Sequence, residues 1–164
     1  MIWTILKRVI LPLLVMIVVL AHIGRKTFHV ELIIPAPPEQ IWAVLMDTQA
    51  YGEWKPVFTQ VDGSYQQGGT VRNTVVDPNG NVLNIKASVD SLVANRELRQ
   101  SGGLFGFLTF DHQWLLEPVD EGTKVTQLEF DQGLYMWFWD SSWIEPSYTK
   151  VSEALRDRVA AKSN

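Results

Sequence analysis

Cysteine is absent from this chain, which excludes a disulfide framework, a zinc–thiolate site and a thiol nucleophile. Histidine is scarce, with three in all, and His22, His29 and His112 are too scattered to form a metal set. The run "GGLFGF" has the glycines of a phosphate loop but neither the lysine nor the following helix. The serines of "DSSW" lie outside any Gly-x-Ser-x-Gly elbow. Asp120 and Glu121 are adjacent carboxylates in a turn, where solvation explains them. No metal and no cofactor is expected.

Acidic residues are missing from the first 26 positions. All 18 of them fall later, against 10 of the 14 basic residues, so residues 27–164 are strongly acidic. Such a surface repels phosphate backbones, and nucleic acid is not an expected partner. The chain therefore divides into a segment 1–26 and a single domain 27–164.

The first segment holds "VILPLLVMIVVLAHIG", Val9 to Gly24, flanked by Lys7-Arg8 and Arg25-Lys26. As a helix its 16 residues reach about 24 Å, against about 30 Å of hydrocarbon. Ile2, Trp3, Ile5 and Leu6 extend the apolar length, Lys7 and Arg8 can snorkel, and Trp3 suits an interfacial anchor. The expectation is a single-pass transmembrane anchor. A cleaved signal ending near Val19-Ala21 competes with it, and a buried core helix stands third because the run is apolar all round. The flanking positive charges lean by one toward a domain outside the cytoplasm, on the periplasmic or extracellular side.

In the domain, "FHVELIIPA" (28–36) reads as a strand and "PPEQIWAVLMD" as a helix, with Pro38 in its first turn and Ile41, Val44 and Leu45 on one face. Strand-like runs follow at 57–63, 70–76, 81–90, 97–102, 108–118 and 123–133. "DPNG" and "VDEG" mark hairpins between them, Asn-Gly tolerating the positive φ of tight turns. Over 147–162, Tyr148, Val151, Leu155 and Val159 recur at helical spacing. One strand, a helix, a meander of strands and a last helix predict an α+β fold on an antiparallel sheet.

The stretch "IPAPPEQIWAVLMDTQAYGEWKPVF" resembles the opening of the START-like, or SRPBCC, superfamily of polyketide cyclases and lipid-transfer domains. The resemblance rests on Ala36-Pro37, Trp42, Asp47, and Trp54 with Pro56, and the Gly-Thr of "EGTKVTQLEF" with Gly133 is similar to the family's last strand. It implies a helix-grip fold: a curved antiparallel sheet of about six to seven strands around a long C-terminal helix. It also implies a mainly apolar cavity between them that holds a hydrophobic small molecule or lipid.

Strand alternation then nominates the cavity face, taking the more apolar set as inward. It places Leu83 and Ile85 inward on one strand, Phe110, His112, Trp114 and Leu116 on the next, and Thr126, Leu128 and Phe130 on the last. Asn73 and Gln100 are candidate inward polar groups. Trp54 and Phe58 join the candidate ligand contacts, as do Tyr148, Val151 and Leu155 from the final helix. "SGGLFGFL" (101–108) reads either as a gate at the cavity mouth lined by Leu104, Phe105 and Phe107, or as a loop whose phenylalanines close the core. His112 is the one catalytic candidate, its reference pKa of about 6.5 suiting proton transfer; a neutral core histidine, bonded to a carbonyl or to Tyr148, is the simpler reading.

These residues support a membrane-tethered binding domain for an apolar ligand. The alternatives are a cyclase-, dehydratase- or hydrolase-like enzyme using His112, and a non-catalytic module of a membrane complex. "GLYMWFWDSSW" (133–143) joins the last strand to the final helix. Read as a continuing strand it would put Tyr135, Trp137 and Trp139 on one face and Met136 and Phe138 on the other.

Overall fold

Pro37 and Pro38 open a helix two residues after the first strand, because proline has no N–H to lose at a helix start. In the computed structural model, which describes residues 6–162, that helix is α2 (Pro38–Met46), buried through Ile41, Val44 and Leu45. Before it come α1 (Leu11–Ile23) and β1 (Arg25–Ile34), and after it the short α3 (Tyr51–Trp54). The meander is β2 (Phe58–Asp62), β3 (Thr70–Val76), β4 (Val82–Val93), β5 (Glu97–Leu104), β6 (Leu108–Val119) and β7 (Gly122–Gln132). The chain closes with α4 (Ile144–Lys162).

The sheet has seven strands in the order β1-β7-β6-β5-β4-β3-β2, every pair antiparallel. It curls as a half-barrel around α4, whose Tyr148, Val151, Leu155 and Val159 form the buried stripe. The core joins Val151, Leu155 and Val159 to Ile41 and Leu45 of α2 and to Val89, Leu98, Trp114, Leu116 and Val125 of the sheet, while Tyr148 packs in a second cluster with Phe28 and Ile144. The β3–β4 turn is built on Asp77, whose backbone N–H donates to the Asn81 carbonyl at 3.0 Å, with Gly80 at φ +82°.

Two expectations are corrected by this architecture. The first concerns the transmembrane helix: among the described residues, no helix is long and apolar enough to cross a membrane. The π-helical turn Leu6–Ile10 leads into α1; α1 itself has 13 residues, about 20 Å of helix. It ends where the chain must enter β1, which starts at Arg25, two positions before the expected domain boundary. Ile2, Trp3 and Ile5 lie outside the described residues, as does the side chain of Leu6. None of the α1 residues is buried, so it is not a core helix either. Its last turn is fastened to the domain by polar groups: Trp137 Nε1 donates to the Leu20 carbonyl at 3.0 Å, and Gln132 Nε2 and Arg25 Nε donate to that of His22, each at 3.0 Å. Gly24 is needed here, since a Cβ would collide with the Gly133 carbonyl and the Trp137 ring nitrogen.

The second correction concerns β7. Its inward face is Thr123, Val125, Gln127, Glu129 and Asp131, all buried, while Phe130 is 44 % exposed on the convex side with Leu128. The more polar set faces inward because α4 supplies partners for it. Gln127 Nε2 donates to the Tyr148 carbonyl at 3.0 Å and to Ser152 Oγ at 2.8 Å, and the Tyr148 hydroxyl donates to Glu129 Oε2 at 2.6 Å.

Candidate functional site

Between the concave sheet and the start of α4 lies a cavity of about 490 Å³. Aromatic and aliphatic groups form most of its wall: Phe58 from β2, Ile85 from β4, Phe110 and Trp114 from β6, Trp139 and Trp143 from the segment before α4, and Tyr148 from α4. Leu83, Asn81 and Tyr135 line it while keeping solvent exposure, so it opens at the β3–β4 turn.

Of the nominated ligand contacts, Phe58, Leu83, Ile85, Phe110, His112, Trp114 and Tyr148 line this cavity. Val151 and Leu155 do not; both are fully buried in the core. Trp54 stands behind the wall, packed edge-on against Tyr51 with ring centroids 5.6 Å apart. Leu128 and Phe130 are excluded by the facing of β7. Phe105 and Phe107 are not in the wall: Phe105 is 95 % exposed at the tip of the β5–β6 hairpin, and Phe107 stacks on Tyr135 at 5.4 Å. The phenylalanines therefore do not close the core.

The aromatic run is not a strand. Gly133, at φ +147°, turns the chain into a 3₁₀ turn over Leu134–Trp137. Met136 is buried, Tyr135 and Trp139 stack at 6.1 Å beside the cavity, and Phe138 is 80 % exposed. Backbone bonds from Leu134 to the Gly106 carbonyl and from Tyr135 to that of Phe107 join this turn to the β5–β6 tip. Leu104 and Phe105 of the tip and Trp137 and Phe138 of the turn are all exposed, and Trp137 bonds to the root of α1.

The floor of the cavity is polar. Glu129 and Asp131 are neighbours on one face of β7, and burial pushes both carboxyls up, to about 7 and about 8, the negative charge of Glu129 adding to the shift of Asp131. Asp131 Oδ1 has no donor in the protein. A proton held on Asp131 and donated to Glu129 satisfies both groups. The Tyr148 hydroxyl is pushed well above its usual range by burial and by Glu129, so it stays a donor. His112 packs edge-on against Tyr148 at 5.4 Å and Trp114 at 6.0 Å. Burial, and then the charge of Lys55, hold its pKa down to about 4. It is a neutral imidazole at pH 7, and the Tyr148 hydroxyl goes to Glu129 instead of to it.

Lys55 was not legible as a site residue. It sits in "EWKPVF" directly after α3. Its side chain folds inward, 6 % exposed, with Nζ 4.0 Å from the Tyr51 ring centroid and 5.1–5.9 Å from those of Phe58, Trp114 and Trp54. Burial lowers its pKa to about 7. The available signal was a lysine enclosed by Trp, Pro, Val and Phe with no acidic residue beyond Glu53 nearby. Asn73 and Gln100, nominated as inward, are buried and line the cavity. Among the described residues no cluster of His, Asp and Glu has the arrangement of a metal site.

A family model described as polyketide cyclase/dehydrase and lipid transport matches residues 25–160. None of the curated proteins matches the chain. Many solved structures share its fold at low identity. A Thermus thermophilus protein superposes with a TM-score of 0.69 at 17 % identity, over 85 % of this chain and 100 % of its own. Protein CV1439 of Chromobacterium violaceum gives 0.68 at 16 %, over 82 % and 97 %. An uncharacterised protein of Rhizobium leguminosarum gives 0.64 at 18 %, over 84 % and 95 %.

Proposed function

The chain belongs to the polyketide cyclase/dehydrase and lipid transport family, and on that premise we propose that it binds a hydrophobic small molecule or lipid in the cavity between sheet and α4. The observation that carries this reading is the cavity itself. Its volume of about 490 Å³ falls within the several-hundred-Å³ range of small-molecule sites, and its apolar wall with a few convergent polar groups is their usual form. Removing the ligand's apolar surface from water would drive binding at roughly 25 cal/mol per Å² before the costs of association.

The finer part of the proposal is that the domain works against a bilayer. Two features support it: α1 is apolar and unburied along its length, and Phe105, Trp137 and Phe138 are exposed, Trp137 bonding to its root. Exposed apolar side chains that cluster mark where a protein meets lipid or a partner.

Native mass spectrometry and organic extraction of the purified full chain test the binding reading. Co-purification of an apolar molecule, or saturable uptake from a panel of fatty acids and quinones, is expected. An empty protein that takes up none of them would sink the reading. Flotation with phosphatidylcholine vesicles tests the second part: the full chain should float, and Phe105→Ser with Phe138→Ser should weaken flotation several-fold. Unchanged flotation would remove the hairpin tip from the membrane contact.

A further inference from the structure

We propose that Lys55 is the charge-recognition point of the cavity and that the ligand it selects is a monocarboxylate on an apolar body. This inference rests on the hydrophobic-ligand reading above and adds the chemical class of the ligand.

Lys55 reaches the cavity from the end of α3, and its ammonium is enclosed by ring faces. Aromatic faces attract a cation, but they leave its three N–H donors without a true acceptor. Among the described residues, none pairs with it: the six ion pairs involve other residues, and no hydrogen bond reaches its Nζ. A buried ammonium without a counter-charge is costly, and an incoming anion removes that cost.

Besides the acceptor Asp131 Oδ1, two buried nitrogens of the wall lack partners, Gln100 Nε2 and His112 Nε2. Gln100 on β5 and His112 on β6 are register neighbours on the same inward face. His112 lies close enough to Lys55 for the lysine's charge to lower its pKa. Lys55 and Gln100 together offer donors for the two oxygens of one carboxylate, and His112 can present a third N–H in the appropriate tautomer.

The same cavity limits the charge it can accept. Glu129 and Asp131 line it as well. A phosphate dianion would bring two charges to one lysine beside the negative charge shared by the Glu129–Asp131 pair, whereas a monoanion brings only the one that Lys55 can match. The rest of the wall, with Phe58, Ile85, Phe110 and Trp114, suits a hydrocarbon or aromatic body.

The test compares decanoate with decan-1-ol, equal in chain length, by calorimetry at pH 7. It uses the full chain in phosphatidylcholine nanodiscs with empty discs subtracted. Wild-type protein should bind decanoate at least tenfold more tightly than decanol. In Lys55→Met that preference should collapse to within threefold. Equal or tighter binding of decanol by the wild type overturns the inference while leaving the hydrophobic-ligand reading intact, as does a preference that survives in a folded Lys55→Met. Should that variant not fold, the acid–alcohol comparison on the wild type still decides. Failure of the wild type to bind either probe overturns both.

Discussion

Strands β6 and β7 lie side by side and face the same interior with opposite chemistry. β6 turns Phe110, His112, Trp114 and Leu116 inward and leaves Asp111 and Gln113 outside, where Asp111 pairs with Arg99. β7 turns Gln127, Glu129 and Asp131 inward and leaves Leu128 and Phe130 outside. Hydrophobic burial alone would have oriented both strands the same way. The difference lies in what stands opposite each. β6 meets rings and forms the apolar cavity wall, while β7 meets α4 at Gln127 and Glu129, and α4 offers a carbonyl, a serine hydroxyl and the Tyr148 hydroxyl. A buried polar group is tolerated once hydrogen-bonded, and leaving its partners unmatched then costs more than the bond is worth.

The largest effect should come from the apolar strand. Trp114 is 2 % exposed and holds the cavity wall, so Trp114→Ala should destabilise by about 3–5 kcal/mol in urea unfolding. A loss below 1 kcal/mol would mean that the cavity side of β6 bears little load. Next, Gln127→Ala leaves the Tyr148 carbonyl and Ser152 hydroxyl unmatched and should cost about 1–3 kcal/mol. Gln127→Ala together with Ser152→Ala should recover part of that loss, because both ends of one bond are then gone.

The acidic pair gives the comparison a pH signature. In the folded state Glu129 is raised from 4.5 to about 7 and Asp131 from 3.8 to about 8. The folded protein therefore holds protons that the unfolded chain has released. This stability is fully present below pH 4 and is lost as pH rises toward 7–8, with a slope near 1.4 kcal/mol per pH unit for each proton. Lys55 acts in the opposite sense, since its folded value of about 7 lies below the unfolded 10.5. Stability lost at neutral pH should recover between about pH 7 and 10.5. Denaturation midpoints of Glu129→Gln should show a flatter fall between pH 4.5 and 7, and those of Lys55→Met should lack the alkaline recovery. Curves identical to wild type would place these groups in solvent. The smallest effect belongs to the outward face of β7: Phe130→Ser should change stability by no more than about 0.5 kcal/mol.

Much of the fold was legible in the residues. The helix opening at Pro38, the Asp77–Gly80 turn and the stripe of Tyr148, Val151 and Leu155 each follow from local backbone preference or from one-sided periodicity. On β4 and β6 the inward faces were read correctly by alternation. About half of the candidate site was legible too, since Phe58, Leu83, Ile85, Phe110, His112, Trp114 and Tyr148 do line the cavity. Phe105 and Phe107 were nominated for their apolar character, yet nothing in the sequence says whether a hairpin tip folds back over a cavity or projects from it. Glu129, Asp131 and Lys55 were missed because charged residues default to solvent when no partner is visible nearby in the chain.

Taken alone, the sequence determined the order of elements, the hairpins, the acid-free N-terminal segment and the kinship with cavity-bearing domains, because these depend on near neighbours along the chain. Tertiary structure decided the facing of β7, the turn of the aromatic run at Gly133 and the enclosure of Lys55. In each case the deciding atom belongs to a different element: Tyr148 and Ser152 for β7, the Phe107 carbonyl for the turn at Gly133, and the rings of Phe58 and Trp114 for the lysine. Whether a polar side chain faces inward depends on the partner it finds there, and sequence spacing does not contain that partner.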